Sequence, residues 1–436
     1  MRRPGRLARA AIAAGIAVGS AGLSGCGSST TTTAVRPPAL VAPLDTSVTG
    51  PAGTWAVLGM GDLGQPDNTF WQTFYLRPPG GQWTLRTPPG VADNGGLVIA
   101  NGGPQLVVGF LPSNLLQFSP LALSTDDGAT YQTGLVPDGL AAVPDALSVS
   151  STGVAVALTG DQVVTSPPEL GNWQPLVALA AVEASTVGRS CGVQRLTAVT
   201  ALPNAALLGA DCTHTTTAGV FAVAGGVLRL VGPQLPVGTA AGALDVLRLV
   251  PYRHGLAVLL ATNPGPRPTY RAAWEPTLSG PWTLGPALTS GRLLSASLTP
   301  AGGFAIVTGE TETGGGTGAT AAGAGGTSGE TGATGKPGAG RTTGEPGAGG
   351  TTGETGAGGT TGASGSPLLA AVVEPGAAVW SVLPTPPTGT AALVIAGGRT
   401  EALGVEGAAF TDDRLMTGRW VAVQTITVPI AFGSSS

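Results

Sequence analysis

The stretch that decides the fold is Ser124-Thr125-Asp126-Asp127-Gly128-Ala129-Thr130-Tyr131. Ser and Asp side chains accept hydrogen bonds from turn amides, and Gly takes up backbone angles that other residues avoid. We therefore predict a structural turn formed by Ser124, Asp126, Gly128 and Thr130. Tyr131 follows at the start of an extended run, where we expect its ring to pack between neighbouring sheets.

A shorter unit, Gly-x-Trp, recurs along the rest of the chain. It occurs between a turn and an extended run at 81–83, 171–173, 280–282 and 418–420. Tyr131 and the weaker matches at Leu228 and Trp380 complete a series of aromatic or apolar anchors. The anchors recur about every 40 to 55 residues once a low-complexity insert, residues 310–366, is left out.

This period is the one expected of four-stranded propeller blades. Short alternating or apolar runs separated by Gly, Asp and Pro turns fill the intervals, as strands would. The sequence therefore predicts an all-β propeller over residues 51–309 and 367–432, with seven blades, and with six or eight as the alternatives. The run TITVPIAF, residues 425–432, is predicted to complete the first blade, which otherwise has too few strands.

Composition excludes several other classes of protein. The 436 residues include 72 Gly and 37 Pro and only 10% are charged, which argues against a helical bundle. With 42% hydrophobic residues the chain is not disordered throughout, and a net charge of −4 does not suit a nucleic-acid binder. We expect a monomer without a cofactor. A zinc site is not expected, because no fourth ligand at suitable spacing accompanies Cys191, Cys212 and His214, and His254 is expected to lie at the surface.

The turn at 124–131 resembles the Asp-box of BNR-repeat, sialidase-like propellers, with Tyr131 where Trp is usual. In that family the motif is structural, and many members are glycoside hydrolases. The resemblance implies an exo-acting, sialidase-like glycosidase as the alternative function. Sialidases use a tyrosine–glutamate pair as nucleophile and a cluster of arginines to bind the substrate carboxylate. The residues of these types that lie near one another in this sequence are Tyr252-Arg253, Tyr270-Arg271 and Glu275. The Arg-Ile-Pro signature of that family does not occur, and we assign no catalytic residue.

The amino terminus has the layout of a bacterial secretion signal. The basic residues Arg2, Arg3, Arg6 and Arg9 precede an apolar run, residues 10–23. Leu23-Ser24-Gly25-Cys26 then resembles a lipobox, which implies that Cys26 is acylated and that residues 1–25 are removed. An ordinary signal peptide and a short membrane span are the alternatives. Residues 26–50 are predicted to be the lipidated cysteine and a flexible spacer, and the protein to lie at the extracytoplasmic face of the membrane.

Export has a consequence for the two remaining cysteines, Cys191 and Cys212. In an oxidising compartment pairing is the default, so we predict a disulfide between them.

In the insert, Gly occupies almost every third position from 326 to 365, as in bacterial collagen-like repeats. Because the insert has few prolines and returns to the same blade, we interpret it as a solvated loop.

For function, the sequence favours a non-enzymatic binding or scaffold module at the cell envelope. The expected partners are the membrane, reached through the lipid, and an unidentified envelope protein or glycan. Trp55 and Trp71 are candidates for a glycan site, but we expect both to pack in the core, because a large ring on a strand contributes most to stability when it is buried.

Overall fold

The computed structural model describes residues 47–50, 53–61, 69–77, 81–88, 97–102, 105–110, 121–132, 140, 144–213, 216–236, 243–252, 255–262, 267–277, 280–309, 367–406 and 408–428. Residues 39–436 form one compact unit. The predicted signal peptide, Cys26, most of the spacer, the insert and His214, Arg253 and His254 lie outside the described residues. Within them, no helix is long and apolar enough to cross a membrane.

The strands follow one another in up-and-down antiparallel meanders, and the first three meanders lie before residue 180. The first contains β1 (Ser47–Gly50), β2 (Gly53–Gly61), β3 (Thr69–Leu76) and β4 (Trp83–Leu85). The second contains β5 (Leu97–Gly102), β6 (Gln105–Phe110) and β7 (Leu121–Ser124), with a single bridge from Leu123 to Gln132 at the fourth-strand position. The third contains β8 (Ala146–Val149), β9 (Ala155–Thr159), β10 (Gln162–Ser166) and β11 (Gln174–Ala178).

Four further meanders lie between residues 193 and 427. The fourth contains β12 (Val193–Leu202), β13 (Ala205–Cys212), β14 (Gly219–Ala224) and β15 (Val227–Leu230). The fifth contains β16 (Leu244–Tyr252), β17 (Gly255–Thr262), β18 (Thr269–Glu275) and β19 (Thr283–Thr289), and one residue pair, Cys212 with Leu244, joins it to the fourth. The sixth contains β20 (Arg292–Leu298), β21 (Phe304–Gly309), β22 (Leu368–Val373) and β23 (Ser381–Val382), and the seventh contains β24 (Thr390–Ala396), β25 (Arg399–Glu406), β26 (Ala409–Met416) and β27 (Arg419–Thr427).

Within each meander the sequence pattern decides how deeply a strand is buried. β17 reads GLAVLLAT, and all eight of its residues are buried, as expected of a continuous apolar run covered on both faces. β27 reads RWVAVQTIT and has no fully buried residue, because it is the outermost strand of its meander. The prediction of an all-β chain is confirmed.

Neighbouring meanders pack face to face through apolar clusters. Phe221 of the fourth meander shares a cluster with Leu158 of the third, and Trp274 of the fifth shares one with Phe304 of the sixth. The seventh meander packs in the same way on the first. There the rings of Phe74 and Phe410 stack with centroids 4.2 Å apart.

The predicted aromatic anchors stand at the fourth-strand position of their meanders and reach the preceding meander. Trp282 Nε1 donates to the Val231 carbonyl (2.6 Å), Trp380 Nε1 to Pro286 (2.9 Å), Trp420 Nε1 to Pro384 (3.0 Å) and the Tyr131 hydroxyl to Arg86 (2.8 Å). Trp173 instead donates to Leu170 in its own meander. Trp83 of the first meander donates to Glu401 Oε2 of the seventh at 3.1 Å, so the same contact joins the two ends of the described chain.

The structure corrects the expectation for residues 425–432. Thr425–Thr427 belong to β27 and pair with β26, and the Val428 amide donates to the Ala408 carbonyl; 429–432 lie outside the described residues. The first meander is completed by β1, within the range predicted as spacer. Ser47-Val48-Thr49-Gly50 is short and polar and so carries no strand signal, yet small residues fit where several strands converge.

Two short helices, absent from the prediction, connect the third and fourth meanders: α1 (Leu179–Ala184) and α2 (Thr186–Cys191). Ser185 caps α2 by accepting a hydrogen bond from the Gly188 amide at 2.9 Å. Cys191 at the end of α2 forms a disulfide with Cys212 at the end of β13, with Cα atoms 5.3 Å apart. The predicted disulfide is therefore present in the structure, and it fastens the helices to the fourth meander.

Candidate functional site

The first strands of six meanders converge on a cavity of about 130 Å³, which we call the axial cavity. Its walls come from β1, β5, β8, β12, β16 and β20. The lining is mostly aliphatic or small and polar: Ser47, Val48, Thr49, Ile99, Ala100, Asn101, Leu147, Ser148, Val149, Val199, Arg248, Leu249, Val250, Pro251 and Leu298. An apolar cavity with a few polar groups is the usual form of a small-molecule site.

Hydroxyl groups on these strands hold the cavity wall together. Ser47 Oγ donates to Ser297 Oγ at 2.7 Å and so joins β1 to β20. Ser148 Oγ accepts a hydrogen bond from the Ala201 amide at 3.0 Å, and the Thr200 hydroxyl donates to the Leu249 carbonyl. These bonds cross between meanders, where no β-ladder fixes the spacing, and they make the cavity a preformed feature.

Arg248 is the one charged side chain among the residues that line the cavity. It is 4% exposed and lies on β16 directly after a register shift between Val246 and Arg248. Burial lowers the pKa of its guanidinium to about 10, so the group still carries a positive charge at neutral pH. Sequence analysis missed this residue. The available signal was an arginine inside a mostly apolar strand, LDVLRLVPY.

The residues predicted to form the turn at 124–131 do meet in one hydrogen-bonded loop. Ser124 Oγ accepts from the Gly128 amide at 2.8 Å, and Asp126 accepts from the Thr130 amide (2.8 Å) and hydroxyl (2.6 Å). Hydrogen bonds from Thr130 and Ser124 lower the pKa of the Asp126 carboxyl. Gly128 has φ +69°, and a Cβ there would overlap the Trp55 ring. The hydrogen bonds fix the turn itself, and Gly128 packs it against Trp55 of the first meander.

Among the described residues, Tyr270, Arg271 and Glu275 of the alternative function are not brought together into one site, and Arg253 lies outside the described part. The Tyr270 hydroxyl is buried and donates to the Gly291 carbonyl at 2.8 Å, and Arg271 Nη1 donates to the Gly285 carbonyl at 2.6 Å. Glu275 lies five positions along β18 from Tyr270, so the two side chains project from opposite faces. Burial raises the pKa of Glu275.

The two tryptophans considered for a glycan site are in strands of the first meander. Trp55 is 1% exposed and packs against Tyr75 with ring centroids 4.5 Å apart, which confirms the expected role in the core. Trp71 is in β3, but its side chain is outside the described part. Among described residues, no group of three or more His, Cys, Asp or Glu side chains is arranged to hold a metal.

No family model matches the chain, and no curated protein matches its sequence. Several solved structures resemble it. A putative 6-phosphogluconolactonase from Bacteroides fragilis is 11% identical, with 87% of this chain and 97% of that chain covered and a TM-score of 0.47. YCF48 bound to D1 peptide is 13% identical (61% and 77% covered, TM-score 0.34), and a puromycin hydrolase is 11% identical (91% and 57% covered, TM-score 0.41). The chain is an all-β protein whose structural neighbours are of the β-propeller type.

Proposed function

We propose that this protein is a seven-bladed β-propeller, anchored by a lipid at the extracytoplasmic face of the cell envelope, that binds a small anionic ligand in its axial cavity. The observation that carries the binding function is the buried guanidinium of Arg248 in a cavity formed by six converging strands. The seven meanders are the blades.

Closure of the blades into a ring is supported by the contacts between the first and last meanders. Phe74, Phe410 and Trp83 share one apolar cluster. The Gln424 side chain both donates to the Trp83 carbonyl and accepts from the Trp83 amide, each at 2.8 Å. In this proposal side-chain packing and hydrogen bonds close the ring, and no strand is shared between its ends.

The anionic class of ligand follows from the charge and geometry of the guanidinium. Arg248 is positively charged at neutral pH and presents several N–H donors in a plane, which suits a carboxylate or phosphate group. The aliphatic remainder of the lining favours a compact anion with an apolar portion.

The envelope location is supported by the disulfide and by the amino-terminal sequence. Disulfides persist in oxidising, exported compartments, and the bond between Cys191 and Cys212 suits such a location. The basic residues, the apolar run and Cys26 together match a lipoprotein signal. Several acyl chains on one cysteine give a durable membrane anchor.

Calorimetric titration of the full chain tests the binding function. The probes are acetate, lactate, citrate and inorganic phosphate, each titrated into the unaltered protein, Arg248→Met and Arg229→Met. Arg229 is an exposed residue of β15, so its variant matches the change in net charge away from the cavity. We expect heat of binding from at least one anion with the unaltered protein and Arg229→Met, and its loss in Arg248→Met. Equal binding by both variants, or no binding by the unaltered protein, would overturn the anionic site.

Detergent-phase partition tests the anchor. The unaltered protein and Ser28→Ala should enter the detergent phase, and mass spectrometry should find a diacylglyceryl cysteine at the mature terminus. Cys26→Ala should yield an uncleaved precursor without the lipid. An unmodified mature terminus in the unaltered protein would refute lipid attachment.

A further inference from the structure

A second cavity, of about 210 Å³, lies where the seventh meander meets the first, and we call it the junction cavity. Its lining comprises Gly81, Gln82, Arg399, Asp412, Arg414, Val423 and Gln424. This volume is many times the roughly 10–15 Å³ that one water molecule needs. The junction cavity therefore has room for a small organic ligand.

Four charged side chains gather on the face of the seventh meander beside this cavity. In the ladder between β25 and β26, Glu401 is opposite Arg414 and Leu403 is opposite Asp412. Arg399, two residues before Glu401 on β25, points to the same face. Two carboxylates and two guanidiniums thus balance in formal charge, and a neutral ligand leaves this balance undisturbed.

Glu401 has a structural role, because both of its carboxylate oxygens are engaged. It is fully buried; Oε1 lies 3.3 Å from Arg399 Nε and 3.2 Å from Arg414 Nη2, and Oε2 accepts from Trp83 Nε1 at 3.1 Å. The carboxylate ties the two arginines to the first meander. It leaves no oxygen free for a ligand.

Asp412 differs from Glu401 in this respect. It is 2% exposed and lines the cavity, yet Oδ1 has no hydrogen-bond partner among the described residues. Arg399 Nε is also buried without a hydrogen bond, since its ion-pair contact with Glu401 lacks hydrogen-bond geometry. An unsatisfied acceptor and an unsatisfied donor therefore belong to the lining of the same cavity.

A hydroxyl group can donate and accept at once, and two hydroxyls on one small molecule can satisfy both orphan atoms. The amide side chains of Gln82 and Gln424 offer further donors and acceptors of the same kind. We propose that the junction cavity is a second binding site, distinct from the axial cavity, for a neutral polyhydroxylated ligand such as a sugar ring, with Asp412 accepting from one hydroxyl and Arg399 donating to another.

The location predicts an effect on stability as well. A ligand held by Asp412 and Arg399 of the seventh meander would also touch Gly81 and Gln82 of the first. Binding should then oppose separation of the two ends of the chain and raise the melting temperature. This effect does not depend on Arg248 or on an anion.

The test is saturation-transfer NMR and calorimetry on the full chain in a detergent without a sugar headgroup. The probes are glucose, galactose, mannose, N-acetylglucosamine and myo-inositol, followed by a glycan array. The variants are Asp412→Leu and its matched control Asp413→Leu, which makes the same change in charge at a residue outside the cavity lining. Thermal unfolding of each variant reports whether it is folded.

We expect at least one probe to bind the unaltered protein and Asp413→Leu. Asp412→Leu should bind about tenfold to a hundredfold more weakly, because it loses a hydrogen bond to a charged group. Arg248→Met should bind the probe normally, which separates this site from the axial one. Equal affinity of the two leucine variants, or no binding of any probe or arrayed glycan by the unaltered protein, would overturn the proposal.

Discussion

Replacement of Asp412 by Asn should stabilise the protein at alkaline pH and remove part of its pH dependence. Burial raises the pKa of Asp412 to about 7, and the charge of Glu401 adds to the effect, while Arg414 and Arg399 oppose it. Asparagine has nearly the same shape, and its side-chain oxygen is still an acceptor, but the residue carries no charge at any pH. The variant therefore isolates the cost of ionising the buried carboxyl.

The magnitude follows from the difference between the two pKa values. Each tenfold difference in proton affinity is worth about 1.4 kcal/mol, so a change from 3.8 unfolded to about 7 folded amounts to at most about 4 kcal/mol. The folded state holds the proton more tightly than the unfolded state. The stabilisation is therefore fully present below the unfolded pKa and is lost as pH rises through about 7.

Denaturant unfolding of both proteins from about pH 3 to about pH 8 measures this difference. Asp412→Asn should match the unaltered protein at the acid end and exceed it by up to about 4 kcal/mol at the alkaline end. Distant groups whose pKa is also shifted, such as Glu275, contribute equally to the pH dependence of both proteins, so their effect cancels in the difference. Asp161→Asn, at an exposed turn, is the control and should leave the pH profile unchanged. Parallel profiles for Asp412→Asn and the unaltered protein would refute the reasoning.

Three further predictions concern stability, measured in each case by denaturant unfolding. Gly128→Ala should lower the free energy of unfolding by about 2–4 kcal/mol, because it combines left-handed backbone strain with a clash against Trp55. The control Gly160→Ala, at φ +58° with open space around it, should lower it by only about 1–2 kcal/mol. Equal losses in the two variants would contradict the clash. Cys191→Ala should cost about 2–5 kcal/mol, and the same loss should follow reduction of the unaltered protein. Replacement of 310–367 by an Asn-Gly turn should stabilise the fold by about 3 kcal/mol, since β21 and β22 pair up to their last and first residues and each doubling of loop length costs about 0.6 kcal/mol; destabilisation would show that the replaced residues contribute contacts.

The repeat in the sequence contained much of the fold. Residues such as Trp282 and Trp420 mark the fourth strand of a meander. An aromatic ring on this outermost strand is buried by packing on the neighbouring meander, so the same type of residue recurs in successive repeats. The turn at 124–131 and the disulfide were likewise predictable. Both are formed by residues whose side chains have few alternative roles, namely the Ser, Asp and Gly of the turn and the two cysteines.

The strand β1 and the helices α1 and α2 escaped sequence analysis for the opposite reason. Ser47–Gly50 is too short and too polar to carry a periodic signal, and its pairing with β2 is decided by the space left inside the first meander. The two helices of six residues each depend on the disulfide and on packing against the fourth meander, since so short a helix has little stability of its own.

Local patterns and a pair of rare residues were thus enough to predict the all-β class, the repeat and the disulfide. The two cavities in which we propose binding arise from the packing of the meanders on one another. Arg248 is marked in β16 only as a charge in a mostly apolar strand, and Asp412 looks like an ordinary member of β26. Their proposed binding roles depend on burial and on contacts with side chains of other meanders. Which side chains these are depends on the order in which the sheets pack.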